Sequence, residues 1–539
     1  MPNRIRQHGA GEQSTQPQIQ MANTLLFPSA RGSLVPATDT RNNAGGAAHS
    51  LSPRAQLARL ASTGCLTPTF YTSAEVQLHE VLKVTAKLAP SYLARTALYA
   101  RRKGFMKDMP ALLCAILATR DITLLEKIFP EVIDNGRMLR TFVQILRSGV
   151  TGRRSLGTAP KRLVRNWLEN ASDWQLINAA IGTEPSLADI VKMVHPRPKS
   201  PSREAFYGWL LGKNYREDLL PEAIRQFECW KTKPQIELPD MPFQYLTALP
   251  LQPRDWTRIA LSSSWQTTRM NLNTFARHDV LKNGKTVRAL AKRLADPEMV
   301  RRARVFPYQL LAAYLNASSN VPTRLRNALQ DAMEVALENV PAIKGKVVVC
   351  CDVSGSMSWP VTGWNQTATT KVRCVDVAGL MSAAILRRNP EARVLPFENE
   401  VVKLRLNTRD TVITNATRLA NIGGGGTNCS APLRQLNREK ANPDLVIFVS
   451  DNESWMDSRN IRGTQMMKEW EQIRCRNKKA RLVCLDIVPN TTTQAPDRED
   501  ILNISGFNDS VFKVIASFAQ EGNSSDHWVR EIENENYPR

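Results

Sequence analysis

The chain has 539 residues and a formal net charge of +22, with 42% hydrophobic and 23% charged residues. This length exceeds what a single hydrophobic core normally supports, which predicts two or more domains. The sequence has no apolar run of about eighteen residues, the length that a membrane helix requires. Its first twenty residues include two arginines but no apolar stretch after them. We therefore expect neither a membrane span nor a secretory signal.

The positive charge is concentrated in the first part of the chain. Residues 341–539 contain 26 Lys and Arg and 23 Asp and Glu, a net charge of +3, which leaves +19 for residues 1–340. A strongly basic region favours a polyanionic partner, most often nucleic acid, although an anionic membrane surface or a general solubility bias also fits. Nine scattered cysteines without a CxxC pair predict reduced thiols and a cytoplasmic location.

The first part of the chain has a helical pattern. Residues 1–38 are rich in Gln, Ser, Pro and Asn without periodicity, which predicts disorder. Within 39–344, apolar stripes at helical spacing recur between Pro and Gly breaks, and the pattern predicts an α-solenoid of degenerate helical repeats. The stripes include AEVQLHEVLKVTAKL, MPALLCAILAT, KRLVRNWLEN, LADIVKMV, TVRALAKRLA and YQLLAAYLN.

The pattern changes after Pro341. Four short apolar runs, KVVVCCDV, ARVLPF, DLVIFVSD and ARLVCLDIV, are interleaved with the helical stretches VRCVDVAGLMSAAILRR, APLRQLNREK and MMKEWEQIRCR. Strands without polar alternation, separated by helices, are typical of a parallel sheet covered on both faces. Residues 345–539 are therefore predicted to form a doubly wound parallel α/β domain, in a protein of the α + α/β multidomain class.

Oxygen-bearing side chains cluster at the predicted ends of these strands. Asp352, Ser354 and Ser356 follow the first strand, Thr427 follows four glycines, and Asp451 ends a later strand. Ligands of doubly wound folds bind beyond the carboxyl ends of the strands. Two carboxylates and three hydroxyls suit Mg²⁺, and Mn²⁺ or Ca²⁺ would also be accepted. The alternative for an isolated DxSxS pattern, a turn with side-chain caps, does not explain the other two loops.

Motifs of enzymes find little support. The chain has six histidines, no HExxH and no GxSxG. The segment Lys282–Thr286 (KNGKT) ends like a phosphate loop, but Asp279 stands where the upstream glycine would be, so a turn before a helix explains it better. We expect no catalytic residues and no enzymatic activity.

Basic residues crowd one glycine-led turn and a segment that follows it. Such side chains contact phosphates with salt-dependent affinity, and Arg also stacks on unpaired bases. We predict that this cluster binds single-stranded RNA, while a solvated helix face is the alternative for any one member. The residues are Arg153, Arg154, Lys161, Arg162, Arg165, Lys192, His195, Arg197 and Lys199.

The three oxygen-rich loops closely resemble the metal-ion-dependent adhesion site (MIDAS) of von Willebrand factor A (vWA) domains. The resemblance implies that the five residues named above surround one divalent ion, some of them through water. It also implies that the open coordination position takes a carboxylate from a protein partner. The family role of such a site is adhesion rather than catalysis.

The basic helical region resembles the TROVE domain of the Ro ribonucleoprotein family, in its bacterial-type members. The resemblance covers about residues 39–539 and implies that HEAT-like repeats close into a ring whose two ends the vWA domain joins. It rests on an ordered set of segments: DTRNNAGGA, ASTGCLTPTFYTSA, GRRSLGTAPKRLVRNWL, DIVKMVHPRP, TTRMNLNTFARHDVL and RRARVFPYQLLAAY.

This family resemblance also implies a function. The ring would hold the single-stranded 3′ end of a misfolded noncoding RNA, and the outer surface would bind RNA helices or a small Y-type RNA. Bacterial relatives are linked to 3′→5′ exoribonucleases and stress survival, so we expect a monomeric scaffold in noncoding RNA quality control. Animal relatives have basic residues for Y RNA where residues 173–189 of this chain have no Lys or Arg. The alternatives are a metal-dependent protein-adhesion module and a component of a chelatase-type ATPase.

Overall fold

A computed structural model of the chain describes residues 35–63, 73–233, 238–305, 307–338, 340–361, 372–454, 464–488, 490–507, 509–521 and 527–538. The segment predicted to be disordered, 1–38, lies outside these residues except for its last four. Most of the family-like segment ASTGCLTPTFYTSA also lies outside them.

Apart from the short strands β1 and β2, the regular secondary structure of the described chain before residue 340 is helical. None of the helices in the described ranges combines the length and the apolar character needed to cross a membrane. The six predicted helical stretches are confirmed as α2, α4, α7, α9, α16 and α18. In chain order the helices are α1 (Pro53–Thr63), α2 (Ala74–Ala86), α3 (Pro90–Arg102), α4 (Asp108–Arg120), α5 (Ile122–Val132), α6 (Gly136–Ser148), α7 (Thr158–Asn170), α8 (Asp173–Ala179), α9 (Leu187–Val194), α10 (Pro201–Leu211), α11 (Glu222–Thr232), α12 (Phe243–Thr247), α13 (Pro253–Ser262), α14 (Trp265–Met270), α15 (Leu272–Arg277), α16 (Gly284–Ala295), α17 (Pro297–Ala303), α18 (Pro307–Asn316) and α19 (Thr323–Ala336).

Local sequence signals fix where several helices begin. The Ser186 hydroxyl accepts a hydrogen bond from the amide of Asp189, whose carboxylate accepts one from the amide of Ser186, and this reciprocal cap starts α9. The Asn283 side chain accepts hydrogen bonds from the amides of Lys285 (2.9 Å) and Thr286 (3.2 Å) at the start of α16. The KNGKT segment is therefore the predicted turn before a helix. In α2, Val76 is 51% exposed and does not belong to the buried stripe that the sequence pattern predicts.

The second region contains a five-stranded parallel sheet with strand order β4-β3-β5-β6-β8. The four predicted strands are confirmed as β3 to β6, whereas β8 was not predicted. The strands are β1 (Thr40–Arg41), β2 (Ala47–Ser50), β3 (Val347–Asp352), β4 (Arg393–Phe397), β5 (Leu445–Ser450), β6 (Arg481–Asp486), β7 (Thr492–Thr493) and β8 (Ile501–Ser505). The helices of this region are α20 (Cys374–Arg388), α21 (Val412–Ala420), α22 (Ala431–Arg438), α23 (Gln465–Arg476), α24 (Asp509–Glu521) and α25 (His527–Glu533).

Helices cover both faces of this sheet. Val347 and Val349 of β3 belong to one apolar core with residues of α20 and α21, whereas Val348 and Cys350 belong to a second core with residues of α22 and α23. Strand residues buried on both faces explain why the sequence shows continuous apolar runs instead of alternation. The predicted doubly wound α/β fold is confirmed, and its strand order reverses direction at β3 and β5.

The helical region is attached to the α/β region at both of its ends. At its start, β2 pairs antiparallel with β7, and Arg59 of α1 forms a buried ion pair with Asp486 at the end of β6. At its other end, Glu334 of α19 accepts a hydrogen bond from the amide of Val412 (3.2 Å) and pairs with Arg387 (3.2 Å). The helices therefore leave from and return to one unit, as the ring arrangement implied by the family resemblance requires.

The acidic end of the chain folds back onto the basic faces of α1 and α3. Ile532 is fully buried there, and the Tyr537 hydroxyl donates a hydrogen bond to the Ser91 carbonyl (3.1 Å). These contacts engage part of the positive charge of the helical region within the molecule. The ion pairs are Glu533–Arg54 (2.6 Å), Glu535–Arg102 (2.7 Å) and Glu531–Lys103 (3.0 Å).

Candidate metal centre and basic cleft

The three oxygen-rich loops meet at the carboxyl edge of the sheet. β3 ends at Asp352 and its neighbour β5 ends one residue before Asp451, so the direction of the strands brings the two loops side by side. The five predicted metal-site residues are all buried, with at most 8% of any of them exposed: Asp352, Ser354, Ser356, Thr427 and Asp451. The structure therefore places them together at the point where the strand order reverses.

Hydrogen bonds connect these side chains to one another. The Ser354 amide donates to Asp352 Oδ1 (2.9 Å), and Thr427 Oγ1 donates to Ser354 Oγ (2.9 Å). Ser354 Oγ and Ser356 Oγ are 3.2 Å apart. The Ser450 hydroxyl, which the sequence analysis did not select, donates to the second oxygen of Asp352. Ser450 ends the strand directly before Asp451. A hydroxyl-bearing residue at that position is the sequence signal that would have identified Ser450 as part of this site.

Glycine lets the Thr427 loop approach the Asp352 loop. Gly425 has φ +64°, in the left-handed region, and its carbonyl accepts a hydrogen bond from the Gly355 amide (3.0 Å). A Cβ atom on Gly425 would overlap the carboxylate of Glu398. The left-handed backbone conformation therefore favours glycine at this position, and a larger residue would also displace the Glu398 side chain.

The two carboxylates are in an unfavourable environment for negative charge. Burial and the nearby charge of Asp451 raise the pKa of Asp352 to about 7, and burial also raises the pKa of Asp451. A divalent cation between them would neutralise this charge. Among the described residues there is no metal-like cluster of three or more His, Cys, Asp or Glu side chains. The donor set is instead two carboxylates and three hydroxyls, the hard oxygen chemistry that Mg²⁺ accepts, so the residues present fit such an ion.

A third buried acid follows the metal-site loop. Glu453 is 1% exposed, and its amide donates to Asp451 Oδ1 (3.1 Å). Burial and the charge of Asp451 raise the pKa of Glu453 to about 7. Its carboxylate accepts hydrogen bonds from Asn43 and Ala44, in the turn between β1 and β2. The sequence analysis did not select Glu453, because its partners lie about 410 residues away.

A separate cleft of about 590 Å³ lies beside the N-terminal half of α7. Four of the nine predicted RNA-binding residues line it, and Arg147 at the end of α6, which the sequence analysis did not select, adds a fifth cation. Apolar Leu156 and Met193 also contribute to its walls. The lining cations are Arg147, Arg154, Lys161, Arg162 and Arg165.

The basic residues of the predicted cluster are not equivalent. Arg153 Nη1 donates to the Ala118 carbonyl at the end of α4 (2.8 Å), and Arg165 Nε donates to the Val194 carbonyl (2.9 Å). Arg162 pairs with Glu126 of α5. Arg147, Arg154 and Lys161 have no ion pair with an acidic residue among those described. These last three therefore present the freest positive charge in the cleft.

Besides Arg153, four predicted residues lie outside the cleft. Lys192, His195, Arg197 and Lys199 are all exposed. Two of them adjoin the C-terminal end of α7, because the Arg197 amide donates to Glu169 (3.0 Å) and Lys199 Nζ donates to Asn170 (2.8 Å). From Lys161 to Asn170 the helix rises by about 13 Å. The nine residues thus form a strip along α7 rather than a single pocket.

A family model described as the Ro60 vWA domain matches residues 346–519. The protein named RNA-binding protein RO60 of Deinococcus radiodurans is 26% identical over 536 residues, which cover 89% of this chain and 95% of that protein. Residues 346–519 thus match the vWA domain of Ro60 proteins, and the chain is similar to a Ro protein over most of its length.

Two further comparisons also find Ro proteins similar to this chain. RNA-binding protein RO60 of Caenorhabditis elegans is 24% identical over 245 residues, 43% of this chain and 37% of that protein. The crystal structure of the D. radiodurans Ro protein matches with a TM-score of 0.60 at 22% identity, and the match covers 88% of this chain and 100% of that one. This structural likeness concerns the fold, and it extends across both the helical region and the vWA domain.

Proposed function

We propose that this chain is a Ro-like, non-enzymatic scaffold that binds RNA in its helical region. The observation that carries the proposal is the convergence of five cationic side chains in one cleft beside α7. The relatives in D. radiodurans and C. elegans are named RNA-binding proteins, which supports the same class of ligand here. The net charge of +19 in residues 1–340 supports a polyanionic partner as well.

The RNA that best suits the cleft is a single-stranded 3′ end. Lys161 and Arg165 are one helical turn apart and face the same side of α7, so they can contact successive phosphates. Leu156 and Met193 add apolar wall next to these cations. An unpaired base can contact that wall, whereas a base inside a duplex cannot reach it. Misfolded noncoding RNAs with free 3′ ends are therefore the proposed substrates, in RNA quality control and the stress response of the cytoplasm.

A Y-type RNA would have to use the strip beyond the cleft. Residues 173–189 contain no Lys or Arg. The nearby Arg203 donates hydrogen bonds to the carbonyls of Leu168 (3.0 Å) and Ala171 (2.8 Å), so its guanidinium group is already engaged within the protein. We therefore assign the phosphate contacts of such an RNA to the exposed residues His195, Arg197 and Lys199. The family resemblance also suggests a 3′→5′ exoribonuclease as a protein partner. We propose that the chain itself acts as a monomer.

Tail dependence tests the proposed ligand. One structured RNA, prepared with and without a single-stranded 3′ tail, is titrated with the protein across a salt series. We expect tighter binding of the tailed RNA and an affinity that falls as salt increases, because each neutralised phosphate of a single strand contributes about −0.7 to the slope of log K against log salt. Equal affinity for both RNAs would reduce the interaction to nonspecific charge.

Removing the three least engaged cations of the cleft tests its location. In the variant Arg147→Gln/Arg154→Gln/Lys161→Gln we expect affinity for the tailed RNA to fall by about 10- to 100-fold and the salt slope to decrease by about 2. The matched control, Arg216→Gln/Arg225→Gln/Lys231→Gln, removes the same charge from exposed residues that already pair with acids. If the control loses as much affinity as the cleft variant, the cleft is not the binding site.

We further propose that the vWA domain binds one divalent ion, Mg²⁺ or else Mn²⁺ or Ca²⁺. Asp352, Ser354, Ser356, Thr427 and Asp451 would hold it. A bound ion would supply positive charge that could attract a carboxylate of a protein partner. The buried, mutually repelling carboxylates of Asp352 and Asp451 favour this proposal. It also keeps open the alternative in which metal-dependent adhesion to a protein is the main activity of the chain.

A further inference from the structure

The β1–β2 hairpin (residues 40–50) lies against the loop that follows β5, residues 451–454. The amide of Asn43 donates to the Glu453 carboxylate at 2.7 Å, its side-chain Nδ2 at 3.0 Å, and the amide of Ala44 at 3.3 Å. Asn42 Nδ2 donates to the carbonyl of Ser454 at 2.7 Å. Four hydrogen bonds thus join the first strands of the chain to two consecutive residues of the vWA domain.

Close backbone contact accompanies these hydrogen bonds. A Cβ atom on Gly46 would lie 2.0 Å from the carbonyl oxygen of Ser454, so only glycine fits there. The hairpin is also internally braced, because the Gly46 amide donates to Asn42 Oδ1 (2.7 Å) and Arg41 Nη1 donates to the Gly45 carbonyl (2.8 Å). Internal bracing means that little conformational entropy is lost when the hairpin docks.

The two residues that the hairpin holds also contact two of the proposed metal ligands. The Glu453 amide donates to Asp451 Oδ1 (3.1 Å), and the Ser454 hydroxyl donates to the Thr427 carbonyl (3.2 Å). The hairpin therefore contacts the loops of both ligands through a single intervening residue in each case.

A second path runs through the strand that the hairpin pairs with. β2 pairs with β7, and the residues that flank β7 hold the same metal-site loop. Asn490 Nδ2 donates to the Asp451 carbonyl (2.6 Å), and Gln494 Nε2 donates to the Asn452 carbonyl (3.0 Å). Asn452 has φ +56°, a left-handed conformation that Asn adopts readily, and its carbonyl is held in this turn by Gln494.

We propose that the β1–β2 hairpin positions the metal-binding loops, so that docking of the hairpin and binding of a divalent ion are thermodynamically coupled. This inference rests on the metal site proposed above. By linkage, a docked hairpin increases metal affinity and a bound ion strengthens docking by the same factor. Because β2 leads directly into α1, occupancy of the metal site would then be transmitted to the start of the helical region.

Two hairpin variants and one matched control test the coupling in the full chain. Gly46→Ala prevents the close approach of the hairpin to Ser454. Asn43→Asp places a second carboxylate against Glu453, and the fold tolerates this substitution because Asn43 is exposed. The control Gly45→Asn lies in the same turn, where a Cβ meets nothing within 4 Å, and Asn is among the side-chain-bearing residues that best tolerate its left-handed backbone (φ +80°). Calorimetric titration with Mg²⁺ or Mn²⁺ is expected to show about fivefold or greater loss of affinity in the two variants and an unchanged affinity in the control.

Hydrogen exchange gives a readout on the hairpin itself. In the wild-type protein, Mg²⁺ is expected to slow exchange of the Asn43 amide, and in Asp352→Ala it should have no effect. If Gly46→Ala and Asn43→Asp speed this exchange but keep wild-type metal affinity, the hairpin is a structural attachment and the coupling is refuted. A wild-type protein that binds no divalent ion would instead refute the metal site, and the inference with it.

Discussion

The variant Arg59→Leu is expected to lose about 3 to 5 kcal/mol of stability at the junction between the helical region and the sheet. Arg59 is 2% exposed and pairs with Asp486, which is fully buried at the end of β6. Arg59 Nε also donates to Ser505 Oγ of β8 (2.9 Å), and Nη1 donates to the Thr492 carbonyl of β7 (3.3 Å). Burial lowers the pKa of Arg59 to about 10, so it remains charged at neutral pH. Its removal would leave the Asp486 carboxylate buried without its cation.

A second arginine on the same helix provides the control. Arg54 of α1 pairs with Glu533, but its side chain is 56% exposed, so Arg54→Leu is expected to change stability by less than about 1 kcal/mol. The measurement is the midpoint of the first urea transition, together with hydrogen exchange of the α1 amides. The double variant Arg59→Leu/Asp486→Leu should recover part of the loss, since it removes both buried charges. Equal effects of Arg59→Leu and Arg54→Leu would contradict the importance of the buried pair.

Sequence patterns predicted the parallel sheet well where strands are uniformly apolar, and failed where a buried polar residue interrupts one. β8 reads ILNIS, and its Asn503 is only 7% exposed. The Asn503 side chain donates to the Ala495 carbonyl (3.1 Å) and accepts a hydrogen bond from Thr493 Oγ1 (2.7 Å). Hydrogen-bond partners outside the strand therefore satisfy the buried Asn503 amide. The sequence of the strand itself gives no sign of these partners.

The juxtaposition of the five proposed metal-site residues was predictable because their positions follow from local sequence and one geometric rule. Each motif lies next to a recognisable strand or glycine loop, and parallel strands place their carboxyl ends at one edge. The environment of each basic residue was not predictable in this way. Arg153 and Arg154 are adjacent in sequence, yet Arg153 is bonded to the end of α4 and Arg154 lines the cleft. That difference depends on tertiary packing between helices, and the contacts of Glu453 with the hairpin depend on it too.

The proposed metal site leads to a prediction in which one substitution both abolishes metal binding and stabilises the metal-free protein. The folded protein holds the Asp352 proton up to a pKa of about 7, whereas the unfolded chain releases it near the ordinary value of 3.8. The stability that this group contributes is therefore complete below about pH 4 and is lost as the pH rises to about 7. Burial raises the pKa of Asp451 as well, which acts in the same direction. Without divalent ions, the wild-type protein should thus become less stable over this range.

At pH 8 in the presence of a chelator, Asp352→Asn is expected to be more stable than the wild-type protein by up to a few kcal/mol. The substitution removes one of two buried charges and keeps a similar side-chain shape. It should also abolish Mg²⁺ binding, since a carboxylate ligand is lost. Mg²⁺ at 100 times its Kd should stabilise only the wild-type protein, by about 2.7 kcal/mol.

The control is Asp500→Asn, because the sign of the shift is opposite there. Burial opposes ionisation of Asp500, but hydrogen bonds from Arg498 and Trp470 lower its pKa, so its stabilisation is present above the ordinary pKa and is lost only as the pH falls. Asp500→Asn should therefore destabilise the protein at pH 8, with or without Mg²⁺. Thermal unfolding in chelator and in Mg²⁺ between pH 4 and pH 8 separates these outcomes. If Asp352→Asn destabilises the metal-free protein as Asp500→Asn does, the two carboxylates do not repel each other and the main physical argument for the ion fails.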